Sequence, residues 1–117
     1  MIIGEVKPTA IINLAGLASI KATRGHVTSA VIINPNNSLA YLQLFDVSSL
    51  SAITLGTTIP NAVIPLTASG AGNATGLTVA QIDSGWFFAN GIMAACTTTS
   101  NGSTTVAIPV NGTLGIE

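Results

Sequence analysis

The chain has 117 residues, enough for one domain, and only seven are charged, where ~25% would be ordinary for a globular protein. A net charge of −1 provides no basic stripe for phosphates or anionic lipid, so neither nucleic acid nor a membrane surface is an expected partner. A content of 48% hydrophobic residues with so little charge excludes a disordered chain.

The sequence divides into a short N-terminal arm, residues 1–9, and one all-β domain, residues 10–117. Ile2 and Ile3 in the arm are interface candidates, able to join a neighbour as an added strand. Strands are expected at Ala10–Leu14 and Ala18–Thr23. The β-branched run His26–Ile33 follows, with Val27, Val31 and Ile33 on one face and Ala30 and Ile32 on the other. Asn34-Pro35-Asn36-Asn37 turns the chain into Ala40–Val47, whose leucines point inward, and the two runs are read as a hairpin.

Ser48–Ile53 has room for a helical turn or two. The remaining strands are expected at Ala62–Thr67, Gly76–Val79, Trp86–Phe88, Gly91–Thr97, Thr104–Val110 and Thr113–Ile116. Asn90-Gly91, Asn101-Gly102 and Asn111-Gly112 are tight-hairpin dipeptides, and Gly70–Asn73 is a flexible connection. Short strands punctuated by turns throughout favour a single antiparallel β-sandwich or jelly-roll-like domain. The uncharged stretch 47–82 is interrupted by hydroxyl residues and by Pro60 and Pro65, so it does not read as a membrane span. The apolar stretch Ile11–Ile20 is not expected to be a signal peptide.

Enzyme chemistry is short of parts. One histidine, His26, is available for acid–base work, and no Gly-x-Ser-x-Gly elbow presents a nucleophile. His26 and Cys96 supply two zinc ligands where three or four are needed, and Cys96 reads as a small buried hydrophobe. No catalytic residue, metal or cofactor is therefore expected. In place of charge the chain carries 15 Thr, 10 Ser and 9 Asn. Such residues hydrate a surface without repelling a neighbour, which predicts self-association or a partner. In Trp86-Phe87-Phe88, successive side chains alternate between faces, so one side enters the core and the other is available for contact.

Several segments in order resemble small bacteriophage virion proteins. They are Ile20-Lys21-Ala22-Thr23-Arg24-Gly25-His26-Val27, Val31-Ile32-Ile33-Asn34, Ala40-Tyr41-Leu42-Gln43-Leu44-Phe45-Asp46, Leu55-Gly56-Thr57-Thr58-Ile59-Pro60 with Val63-Ile64-Pro65-Leu66, and Phe88 through Thr99. The resemblance implies a β-sandwich that builds a virus particle: a capsid decoration, or cement, protein that binds the major capsid protein and bridges capsomers, with a homotrimer favoured. It places the protein on the virion after synthesis in a bacterial cytoplasm. Arg24 and His26 depart from the pattern and join Trp86 and Phe87 as interface candidates. A tail, neck or fibre component, or a glycan- or receptor-binding module, is the alternative.

Overall fold

The computed structural model describes residues 9–69 and 76–117. Eight strands are present: β1 Thr9–Leu14, β2 Ala18–Lys21, β3 Gly25–Ile33, β4 Ala40–Phe45, β5 Ala62–Leu66, β6 Leu77–Phe88, β7 Ile92–Thr97 and β8 Val110–Ile116. They form two antiparallel four-stranded sheets, ordered β1-β8-β3-β6 and β2-β7-β4-β5. Pairing first with last, second with seventh, third with sixth and fourth with fifth is the wiring of a jelly roll. β1 takes in Thr9, and the rest of the arm, with Ile2, Ile3 and the Gly70–Asn73 connection, lies outside the described residues.

Between the sheets lies the main core. Ile12 and Leu14, Val27, Ala30 and Ile32, Leu42 and Leu44, Ile64 and Leu66, Ile92, Cys96, Val110 and Leu114 meet there, all buried. At roughly 1.5–3 kcal/mol for each large side chain removed from water, this layer is the main favourable contribution to the fold. In β8, Gly112 lies between Ile12 and Ile32, at φ 151°. A Cβ there would collide with the Val31 carbonyl oxygen of β3, so only glycine lets the three strands close up.

Four expectations need correcting. First, β3 and β4 do not form a hairpin, because β3 belongs to the first sheet and β4 to the second. Asn34–Asn37 is a corner between layers, stabilised by distant partners rather than by a two-strand ladder. The buried Asn34 side chain donates to the Ser38 carbonyl at 3.0 Å and accepts from the Asn36 backbone at 3.0 Å. Asn36 in turn donates to the Ile108 carbonyl at 2.8 Å and accepts from the Ile108 N–H at 3.0 Å.

Second, Thr104–Val110 is not a strand. It forms one bridge, Thr97 to Thr105, after which Asn36 occupies the backbone of Ile108 that a ladder would use. Third, Asn111-Gly112 lies inside β8, and Asn90-Gly91 links β6 to β7 in the opposite sheet. Fourth, Val27 is buried with Ala30 and Ile32, while Val31 and Ile33 face outward. The register of β3 shifts between Val27 and Ser29, and one extra residue inverts the alternation on one side of it.

β6 contains a larger interruption. Val27 pairs with Trp86 and Ser29 with Gln81, so residues 82–85 bulge out opposite Thr28 and join the two runs expected separately. Ser84 at φ 66° and Gly85 at φ 74° make the bend. The expected short helix is a 3₁₀ turn at Leu50–Ala52, capped by the Ser49 side chain.

Candidate interaction surface

The two sheets differ on their outward faces. On the second sheet, Phe45 of β4 and Met93 and Ala95 of β7 point away from the main core but are covered by Ile53, with Leu17, Val47 and Leu55 packed around them. The outward Gln43 is buried as well, donating to Thr97 Oγ1 at 2.6 Å and to the Gly102 carbonyl at 3.2 Å. The chain's own loops therefore form a lid on this side.

The loop arrangement is anchored by Asp46, which follows β4. Its carboxylate accepts from the Ala89 N–H at 3.1 Å and the Asn90 N–H at 2.8 Å, at the corner between β6 and β7. Desolvation raises the pKa of this carboxyl, but the backbone donors at Asn90, Ala89 and Gly91 together outweigh it and hold the group below its ordinary value. Asn61 completes the tie by accepting from the Asp46 N–H at 2.8 Å.

Among the described residues, nothing covers the outward face of the first sheet in this way. In an antiparallel sheet, residues paired across neighbouring strands share a face. Ile11 of β1 pairs with Thr113 of β8, Thr113 with Val31 of β3, and Val31 with Val79 of β6. This makes a row across all four strands that is apolar except for the Thr113 hydroxyl on β8. The next row is Asn13, Asn111, Ile33 and Leu77, and the row on the other side is Thr9, Gly115, Ser29 and Gln81. None of these twelve residues is charged. Ile11 is 87% exposed and Val79 62%, with Val31, Ile33 and Leu77 near 40%. An isolated exposed leucine on a surface is normal, but aligned apolar side chains on an uncharged sheet face are a candidate contact surface.

The aromatic candidates lie at one end of this sheet. Phe88 is core, Phe87 is 59% exposed, and Trp86 is half-buried against the main core. The imidazole of His26 lies 5.1 Å from the Phe87 ring, tilted by 45°, and the two residues pair across β3 and β6. The exposed Arg24 precedes them. Asn61, Trp86 and Phe87 line an open cleft of about 450 Å³. A second open cleft, about 410 Å³, follows the β6 bulge past Gln81, Asp83 and Ser84 to Glu117.

The Cys96 thiol is buried and pushed up to about 12 by desolvation, so it stays protonated and unreactive near neutral pH. Among the described residues, no group of three or more His, Cys, Asp or Glu could hold a metal ion, and no helix is long and apolar enough to cross a membrane.

Sequence reasoning brought together His26, Phe87, Trp86 and Arg24 but missed Ile11, Val31, Ile33, Leu77 and Val79. Alternation within β1 and within residues 77–79 was the available signal. It could not be extended across four strands without knowing that β8 lies between β1 and β3. Comparison of the chain with protein-family models, with curated proteins and with solved structures finds no match.

Proposed function

We infer that this protein is a structural component of a bacteriophage particle, a capsid decoration protein that docks on the major capsid protein through the open face of its first sheet. The observation that carries this reading is the uncharged row Ile11, Val31 and Val79, exposed among the described residues on one side of a molecule whose other side is closed by its own loops. The ordered resemblance to small virion proteins supports it. The jelly roll, a wiring used by viral capsid domains, supports it by analogy of fold alone.

The work required is binding rather than chemistry. A protein that binds assembled shell better than free subunits stabilises the shell by linkage. An ordinary interface of ~800 Å² per partner, repeated around a lattice, is sufficient. The lack of charge serves this role because no ion has to be stripped of water as the surfaces meet.

Co-sedimentation of the purified protein with phage shells, followed by imaging of the decorated particles, tests the proposal. Val79→Asp, which adds a charge to this uncharged face, is expected to weaken binding at least ~10-fold. Undiminished binding by this variant, or no density on the head, overturns it. Density confined to tail, neck or fibre moves the protein to another part of the virion.

A second reading is favoured by the cleft at Asn61, Trp86 and Phe87, where an indole and an amide could receive a sugar ring. Titration with a glycan panel separates the two, because binding abolished by Trp86→Ala and untouched by Val79→Asp belongs to the cleft.

A further inference from the structure

A two-sheet sandwich has four free strand edges, here β1 and β6 in the first sheet and β2 and β5 in the second. An unguarded edge presents a row of unpaired backbone groups to any other extended chain, and soluble proteins obstruct such edges by identifiable means. Three of the four are obstructed here. β6 is broken by the bulge at residues 82–85, with positive φ at Ser84 and Gly85 and a charge at Asp83, so its regular runs on either side, 77–81 and 86–88, are shorter than β1. β5 carries Pro65 in its interior, which removes a donor. β2 is four residues long, ends on Lys21 and shifts register before it.

β1 has none of these features. Its six residues, Thr9–Leu14, contain no charge and no proline. They pair with β8 without a register shift. Among the described residues, no strand lies on its other side. At its centre is Ile11, at 87% the most exposed of the large apolar side chains among the described residues.

We propose that β1 pairs antiparallel with β1 of a second copy of this chain about a two-fold axis at Ile11, fusing two four-stranded sheets into one of eight. A second copy is the occupant the geometry selects. Two identical uncharged strands meet without repulsion, and centring the axis on Ile11 sets Ile11 against its counterpart and Thr9 against Asn13. The outward faces then stay on one side, and each exposed Ile11 is covered by the other. The pairing is isologous and closes at two. A ring of three built from strand edges would need β1 to dock on a different edge of its neighbour, and the other three edges are obstructed. The pairing also doubles the apolar row, and it holds whether or not the protein sits on a virus particle.

Sedimentation of the intact protein over rising concentration is expected to show the mass of two chains. Ile11→Lys is expected to return it to one chain with an unchanged circular dichroism spectrum, because this side chain makes little contact with its own fold. A more specific test uses Ile11→Cys. Residues opposite one another in an antiparallel pair have Cα atoms ~4.5–5.5 Å apart, within the span of a disulfide, and the native Cys96 is buried. Mild oxidation is expected to cross-link most of this variant and to leave Val79→Cys, at the far edge of the same face, uncoupled.

A wild-type mass of one chain at every concentration overturns the proposal and leaves β1 open to a strand of another protein. A mass of three chains overturns it as well. So does a two-chain species in which Ile11→Cys fails to cross-link or Val79→Cys cross-links equally, since that pattern places the contact on the sheet face.

Discussion

The outward face of the second sheet and that of the first begin from similar material. Both present apolar side chains, Phe45, Met93 and Ala95 on one and Val31, Ile33 and Val79 on the other. The first group is covered by residues 46–61, held at Asp46 and Asn61, and forms a second small core. The second group has no such cover among the described residues. Sheet chemistry alone thus does not decide whether a face is buried or exposed. The decision lies in the connections, and here the long connection after β4 folds back over its sheet, while no described connection covers the side of β3 and β6.

Truncating the covered side should have the largest effect. Phe45→Ala opens a cavity beneath Ile53 and is expected to destabilise the protein by about 3–5 kcal/mol in chemical denaturation. A loss below 1 kcal/mol would mean that the lid contributes no core.

A smaller effect is expected at the anchor. Asp46 has its carboxyl held below the ordinary value, so its contribution is present above the unfolded-state pKa near ~3.9 and disappears as pH falls through the lower, folded-state value. Asp46→Asn is therefore expected to cost about 1 kcal/mol at neutral pH, reduced by solvent screening at this partly exposed site. As pH falls through that range the gap between variant and wild type should narrow, as read from unfolding midpoints between pH 7 and about pH 2. A gap independent of pH would show that the anchor acts through shape alone.

The least effect on folding is expected on the open face. Val79→Ser should change stability by no more than about 0.5 kcal/mol, because its side chain is already mostly in water. If it destabilises the protein as Phe45→Ala does, the two faces are equivalent and the distinction between lid and interface is lost.

The fold class was legible because hydroxyl-rich alternating runs separated by Asn-Gly and proline leave little else to form. The sheet to which each run belongs was not. Asn34-Pro35-Asn36-Asn37 correctly announces a reversal, but the partners that turn it into a corner are Ile108 and Leu66, far away in sequence. Asn111-Gly112 has the composition of a hairpin tip and serves instead as the narrow point of β8, where a side chain would strike β3. The open face was hidden by the register shift at Thr28, which moved Val27 inward and so broke the pattern linking it to Val31 and Ile33. The aromatic end was easier to find, since Trp86, Phe87 and Phe88 are consecutive and need only local alternation to be sorted.

The place of β8 has a consequence for how the chain is made. It is the last strand of the sequence, yet it lies between β1 and β3, which are among the first. Until the ribosome has released residues 110–116, the earliest strand has no ladder to join, and the first sheet waits as a pair, β3 with β6. Non-local pairing of this kind folds slowly, so a nascent chain stalled before Val110 would leave the apolar sides of β1 and β3 in reach of chaperones.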